Sequence, residues 1–305
     1  MNRSVSILLG IILVAVGSAA LLHHTLGSGK SVSYEHTVPL GGGLREIRID
    51  GDSLNLDIRF TEAASGDGAV RIAGRAPSGI AERIRSAKVE SGVLHLQFRE
   101  PRRWGWHFFA FGAADGTQTV TVEMTKEALD ALESFRASVD SGSLDVVGAA
   151  ARESVFASDS GSIRIEELRG GAATVQTGSG SIRLERFEGG SLSLRTDSGS
   201  IRAGTVIAGL DAASDSGNIR IERLNGRGAV RTDSGSIHIV KDDGSGLDVT
   251  SDSGSVRIQL PAAFNGIYDL RSASGAIRHP DRSGTSGEVI RVRTDSGSIL
   301  VEQQE

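Results

Sequence analysis

Apolar and polar side chains alternate in short runs along the C-terminal half of the chain. Ile163 and Ile165 share one face of such a run while Arg164 takes the other, and a second alternating run, residues 192–196, precedes one of the turns. Alternation with a period of two is typical of a β-strand with one buried face. Each unit of this region is therefore predicted to consist of a strand, a turn, a strand and a second turn that contains glycine.

A phrase close to Asp-Ser-Gly-Ser-Ile-Arg recurs through the same region. Its central glycine appears nine times, at Gly142, Gly161, Gly180, Gly199, Gly217, Gly235, Gly254, Gly275 and Gly297. Neighbouring copies lie 18 to 22 residues apart, most often 19. A fixed period of this length is the signature of a stacked repeat, and it is about half of what a β-propeller blade needs.

One coil of this length cannot bury its own apolar side, so each coil is expected to pair in parallel with the next at about 4.8 Å. Nine coils would then form a rod of roughly 40 Å. The sequence thus predicts an all-β fold, a single-stranded parallel β-helix (β-solenoid) with coils of ~19 residues.

A carboxylate recurs at the corner of most coils. Aspartate occupies the same place in seven copies, at Asp140, Asp159, Asp197, Asp215, Asp233, Asp252 and Asp295. We expect it to accept hydrogen bonds from backbone amides two residues on, and the glycine to supply a positive φ. Arginines five residues later, such as Arg164 and Arg183, are expected to balance the charge of this structural turn ladder. A calcium column is the alternative, although one carboxylate per coil is sparse for calcium.

Residues 1–30 contain an apolar run, Val5 to Leu22, of eighteen residues without a charge. Its length is close to the minimum that spans a bilayer. We expect this segment either to remain as a transmembrane anchor, followed by a Gly/Ser-containing linker, or to be removed as a signal segment at residues 17–20. The β-helix is therefore expected outside the cytoplasm, periplasmic or at the cell surface, anchored in the first case and secreted in the second.

Residues 31–135 are predicted to form irregular N-terminal β coils, and residues 136–305 the regular solenoid of nine repeats. In the first of these regions, residues 51–53 resemble a degenerate corner, and residues 126–134 predict one or two helical turns. Terminal repeats are usually atypical because they must close the open edge of the sheet.

An aromatic segment interrupts the irregular region. It contains both tryptophans of the chain and three of its nine phenylalanines: Trp104, Trp106, Phe108, Phe109 and Phe111. Aromatic side chains gathered in an insertion either cover the end of the core or contact something outside it. Tryptophan beside arginine suits a membrane interface, so the segment is a candidate binding site for lipid or for a partner.

The repeated corner phrase behind an N-terminal apolar segment resembles a bacterial putative-adhesin family of unknown function, whose members are β-helices on envelope proteins. The resemblance covers most of the chain beyond about residue 40 and rests on the repeats. It implies a β-helix displayed on the cell envelope and no catalytic residues, and some members of the family are thought to serve envelope-stress signalling.

Composition narrows the chemistry. The net charge is −5, from 38 acidic and 33 basic residues, which indicates no nucleic-acid partner. Cysteine is absent, the histidines have no metal-site spacing, and the short corners leave little room for a cleft, so we predict no enzyme, no metal and no cofactor. Residues 26–31 end like a phosphate-binding loop but follow a membrane segment, so no nucleotide is expected.

Two functional hypotheses remain. The first is an envelope-displayed adhesin or binding scaffold whose partner is an unknown protein or a cell-surface polymer. The alternative is a structural or regulatory envelope module that signals stress or self-assembles through a membrane partner. The short acidic C-terminus, residues 301–305, argues against end-to-end stacking and so favours the binding hypothesis.

Overall fold

The computed structural model describes residues 31–63, 66, 68–99, 116–281 and 284–304. The predicted membrane segment within residues 1–30 and the aromatic segment, residues 104–111, lie outside them. The strands of the N-terminal part are β1 (Ser31–Pro39), β2 (Glu46–Asp50), β3 (Asn55–Glu62), β4 (Ala69–Pro77), β5 (Val89–Glu90), β6 (Val93–Gln97) and β7 (Thr117–Met124). Two short helices accompany them, α1 (Ser78–Arg85) and α2 (Lys126–Ala131), of which α2 confirms the predicted helical turns.

The repeats form the remaining strands of one continuous sheet. They are β8 (Ser134–Val139), β9 (Leu144–Val147), β10 (Ala149–Ser158), β11 (Ile163–Thr177), β12 (Ile182–Thr196), β13 (Ile201–Ser214), β14 (Ile219–Asn225), β15 (Gly228–Thr232), β16 (Ile237–Lys241), β17 (Leu247–Ser251), β18 (Val256–Leu260), β19 (Ile267–Ser272), β20 (Ile277–Arg278), β21 (Val289–Thr294) and β22 (Ile299–Gln303).

Successive repeats stack in parallel with their apolar positions in register. Ile163 lies opposite Ile182, and Ile182 opposite Ile201. These side chains point inward and are about 1% exposed, whereas the arginines that follow them point to solvent. The structure confirms an all-β parallel β-solenoid with coils of about 19 residues and about nine turns, its core a narrow stack of aliphatic rungs.

The order of the coils in space differs from their order in the chain at both ends. The last pair, β21 and β22, lies between the β17–β18 coil and the β19–β20 coil. At the other end, β2 and β3 lie between β6–β7 and β8–β9. The expectation that each coil pairs with the next is therefore wrong for the step from β17–β18 to β19–β20 and for the step from β6–β7 to β8–β9. The connection at residues 279–288 is long enough for the chain to double back.

Antiparallel strands and a helix cover the N-terminal end of the solenoid. β4 pairs antiparallel with both β1 and β7, and β5 pairs antiparallel with β6. Helix α1 packs against β1, β4 and β6, and it buries Ile80, Ala81 and Ile84. In the described part of the chain, neither helix is both long and apolar enough to cross a membrane.

The corner glycines have a different role from the predicted one. None of the nine has a positive φ. Instead, each lies directly on the backbone of the neighbouring coil: a Cβ added at Gly199 would lie 1.8 Å from the carbonyl oxygen of Gly180, and one added at Gly217 would lie 1.7 Å from that of Gly199. Glycine is required because the coils approach too closely for any side chain.

A side-chain hydroxyl, rather than the predicted aspartate, accepts a hydrogen bond from the amide of the corner glycine in eight of the nine copies. Thr196 Oγ1 accepts a hydrogen bond from the N–H of Gly199 and donates one to the carbonyl of Gly180 in the adjacent coil, both at 3.0 Å. The same place holds Ser or Thr in eight of the nine copies: Ser158, Thr177, Thr196, Ser214, Thr232, Ser251, Ser272 and Thr294. The aspartates follow these residues and stack through their backbones, as Asp159 does on Asp140. Among the described residues, none of their carboxylates accepts a corner amide.

Candidate binding surface

A shallow groove runs along the outer face of the strands that precede the corners. Its volume is about 860 Å³. Small residues at the start of these strands form its floor, and charged residues further along form its walls. The floor residues are Ala172, Ser191, Gly209, Gly228 and Gly246, and the wall residues are Arg195, Asp211, Arg227, Asp248 and Arg291. The groove crosses six coils, from β11 to β21, a length of roughly 24 Å at ~4.8 Å per coil.

The floor is low because the repeats place small residues in register there. Ala172 lies opposite Ser191, and Ser191 opposite Gly209, so no bulky side chain stands in this part of the groove. The space above Gly209 is open: a Cβ added there would have its nearest neighbour at 3.6 Å. This column of small residues is what opens the groove on an otherwise charged face.

Ion pairs line the walls at regular intervals. Arg195 lies 2.7 Å from Asp211, and Arg291 lies 3.4 Å from Asp248 and 3.1 Å from Asp269. The hydrogen bond from Arg291, with the charges of nearby arginines, lowers the pKa of Asp269. The hydroxyl of Ser193, which also lines the groove, is buried without a hydrogen-bond partner among the described residues. The walls therefore offer positively charged hydrogen-bond donors and negatively charged acceptors along the groove.

A buried lysine fixes one edge of the groove. Lys241 stands in a core column, in register with Leu224, and its side chain is fully buried. Its ammonium group donates to the carbonyl of Gly226 and to Ser245 Oγ, and it lies 2.6 Å from Asp243. Because Arg227 and Gly246 flank these groups, the lysine holds the loop that shapes this edge.

Replacing Lys241 with methionine is expected to destabilise the protein by about 2 kcal/mol at pH 7. Removing one partner of a buried ion pair costs about 3–5 kcal/mol, and we reduce that figure because the Asp243 side chain is 28% exposed. Urea-induced unfolding followed by circular dichroism measures the change. The control is Lys88→Met, since Lys88 is exposed and pairs only at the surface. An equal effect of both variants would contradict the role of Lys241.

The same substitution is expected to cost less in acid. Burial alone would raise the pKa of Asp243, but hydrogen bonds from Lys241 and Ser245 lower it overall. A carboxylate with a lowered folded-state pKa adds stability above its unfolded pKa and loses it as the pH falls through the folded value. The difference between the natural chain and Lys241→Met should therefore shrink below about pH 4, the ordinary pKa range of aspartate. Unfolding curves at pH 7 and pH 3 test this.

A second charged surface follows the strands after the corners. It consists of stacked side chains in register: Arg164, Arg183, Arg202, Arg220, His238 and Arg257. Arg183 pairs with Glu185 on its own strand, and Arg220 pairs with Glu222 in the same way. Burial, followed by the charges of the arginines on either side, lowers the pKa of His238. Arg183 and Arg220 are thus paired along their own strands, and Arg257 lies 3.7 Å from Glu302 on β22. None of these three pairs with a corner carboxylate.

The predicted site residues are not brought together. Trp104, Trp106, Phe108, Phe109 and Phe111 lie outside the described residues. The corner aspartates form a separate column, in which Asp140 pairs with Arg99 and Asp233 with Arg231, while the other five make no ion pair within the described part. No group of three or more His, Asp or Glu in that part could hold a metal ion. Sequence reasoning missed the groove. The signal that could have indicated it is the small residue at the start of each of these strands.

Comparison with known proteins gives a family and a fold. The family model described as Toastrack DUF4097 matches residues 44–302. A crystal structure of a putative adhesin from Parabacteroides distasonis is 15% identical, with 90% of this chain and 98% of that chain covered and a TM-score of 0.51. A putative lipid binding protein from the same species is 14% identical, with 91% and 98% covered and a TM-score of 0.49. Among curated proteins no relative matches. The likeness to the first structure shows a shared fold alone.

Proposed function

This chain belongs to the Toastrack DUF4097 family, and on that premise we propose that it is a non-enzymatic binding scaffold that holds an extended polysaccharide of a cell surface in its groove. The observation that carries the proposal is the groove itself, which runs for roughly 24 Å across six coils. A groove of this form suits a long polymer whose units repeat along its length, because the coils that line the groove also repeat. Adhesion to such a polymer is the role that follows.

The chemistry of the walls favours a polysaccharide over a peptide. Peptides are commonly recognised through an open strand edge, an apolar groove or an aromatic-lined groove. The groove lies on a sheet face where the strands already pair on both sides, and the polar residues that line it are arginine, aspartate, serine and threonine. Hydroxyl-rich chains match such alternating donors and acceptors.

The arrangement also favours binding over catalysis. The groove is open and shallow, whereas catalytic sites exclude water and shift the pKa of their acid or base. The ionisable pair beside it joins the buried Lys241 to Asp243, and the lysine also donates hydrogen bonds to the protein itself. The predicted apolar segment within residues 1–30 would hold the scaffold at the envelope, outside the cytoplasm, where surface polymers are found.

Binding of the detergent-solubilised full chain to an array of purified bacterial and host polysaccharides tests the proposal. Gly209→Trp fills the groove at a position with open space, and it should reduce binding at least tenfold. Arg202→Trp adds the same bulk on the arginine column and should leave binding unchanged. If Gly209→Trp binds as well as the natural chain, or if no polysaccharide is retained, the groove is not the binding site.

A further inference from the structure

The coil β19–β20 lies at the C-terminal end of the stack and leaves an edge of the sheet open. In the described part of the chain, β19 pairs with β21 and with no other strand. Ile267 on β19 is 48% exposed and Ile277 on β20 is 38% exposed, and they are the two exposed large hydrophobic residues of that part. The apolar exposure of the described molecule is thus concentrated on this one coil.

The same side-chain columns are covered in the neighbouring coil. Ile277 stands in register with Ile299, which is 1% exposed, and Leu270 in register with Val292, which is fully buried. Tyr268 and Leu270 are only partly buried because no further rung lies over them. Helix α1 and the antiparallel strands close the opposite end of the solenoid. The two ends are therefore unlike, and among the described residues only the β19 end presents an uncovered rung.

An open strand edge with apolar neighbours is a template for pairing with another strand. The charges of β19 are complementary when the β19 strands of two copies lie antiparallel to each other. If Leu270 of one copy faces Leu270 of a second, Asp269 of each copy lies opposite Arg271 of the other. Opposite charges on directly facing residues stabilise a strand pair. Asp269 Oδ2 accepts a hydrogen bond from Arg291, and Oδ1 accepts one at 3.3 Å from Arg271 of its own strand. A carboxylate oxygen has a second lone pair with which to accept from the facing arginine.

We propose that β19 is the interface of a closed dimer, in which the β19 strands of two copies pair antiparallel about a two-fold axis at Leu270. A two-fold contact uses the same surface on both copies and closes on itself. Because the other end of each solenoid is covered, the contact does not propagate into a filament. The dimer covers the last rung of both cores and turns two open edges into one continuous sheet.

A single introduced cysteine tests the dimer, because the chain has none of its own. Facing residues of an antiparallel pair have Cα atoms about 4.5–5.5 Å apart, within the range that a disulfide spans. Leu270→Cys in the full chain, oxidised in detergent micelles, should run as a disulfide-linked dimer on a non-reducing gel. Thr61→Cys, at an exposed position of β3, is the control and should remain monomeric. A folded Leu270→Cys variant that stays monomeric would overturn the proposal.

A second variant removes the contact without an added thiol. Ile267→Lys with Ile277→Lys replaces two exposed side chains, so the fold should be kept while the apolar contact is lost and four like charges are brought to the interface. The mass of the protein in micelles, measured by light scattering, should fall from that of two chains to that of one. Persistence of the dimer in this variant, or capture of a foreign polypeptide by Leu270→Cys in place of a second copy, would show that β19 is not a self-interface.

Discussion

Gly199→Ala will destabilise the solenoid by about 3 kcal/mol, an effect at the upper end for overpacking a core. The added Cβ would lie 1.8 Å from the carbonyl oxygen of Gly180 and 2.6 Å from its carbonyl carbon. The backbones at Gly180 and Gly199 cannot move apart, because the strands on both sides of the corner are held by parallel hydrogen-bonded pairing. The coils must separate at that corner and lose contacts there. The midpoint of urea unfolding of the full chain, followed by circular dichroism, measures the loss.

Gly209→Ala is the matched control. It makes the same substitution in the same coil, where the nearest atom to the new Cβ is 3.6 Å away and the glycine has no positive φ. The expected change is within about 0.5 kcal/mol, because the new Cβ makes no close contact and alanine restricts the unfolded chain. If the two variants unfold at the same urea concentration, the close approach of the corner glycines does not limit the fold.

Thr196→Val is expected to destabilise the protein by about 3 kcal/mol. Valine keeps the shape of threonine but leaves two buried backbone groups without a partner, the N–H of Gly199 and the carbonyl of Gly180. Each buried group left unsatisfied costs about 1–3 kcal/mol. Urea unfolding again measures the change, and amide hydrogen exchange at Gly199 should accelerate with it.

Serine at the same position separates the hydroxyl from the methyl group. Thr196→Ser keeps both hydrogen bonds, as Ser214 and Ser251 do in other coils, and should cost less than about 1 kcal/mol. A serine variant as unstable as the valine variant would mean that packing of the methyl group, not the hydroxyl column, stabilises this corner.

The sequence predicted most of the fold because its strongest signals are local. Alternation around Ile163 and Ile165, with a period near 19, is sufficient to indicate parallel stacked coils. The hydrogen-bond acceptor at the corner was predicted from general turn preferences. These preferences favour aspartate and gave no weight to the serine or threonine that precedes it. The column that includes Ser158 and Thr177 was visible in eight of nine copies and was the better guide. A residue that is polar but always precedes the turn at an inward position should have been expected to bond there.

The exchange of the last two coils and the groove could not be predicted in the same way. The phrases around Gly275 and Gly297 are alike enough to fit either slot, so the choice depends on the path of residues 279–288, which has no periodic signal. The groove depends on Ala172, Ser191 and Gly209 standing in register, and that register exists only once the coils are stacked. The burial of Lys241 follows from the place of one strand end in the core, which no local pattern in the sequence indicates.

The exchanged coils at both ends determine where this architecture can change length. If one coil between β9 and β18 is duplicated or lost, every remaining coil still stacks between two neighbouring coils of the same kind. A unit lost at either terminus instead removes a middle rung, because β2–β3 and β21–β22 each lie between two other coils. Related chains with more or fewer coils should therefore differ by insertions and deletions in the interior of the repeat array, with both terminal segments kept intact.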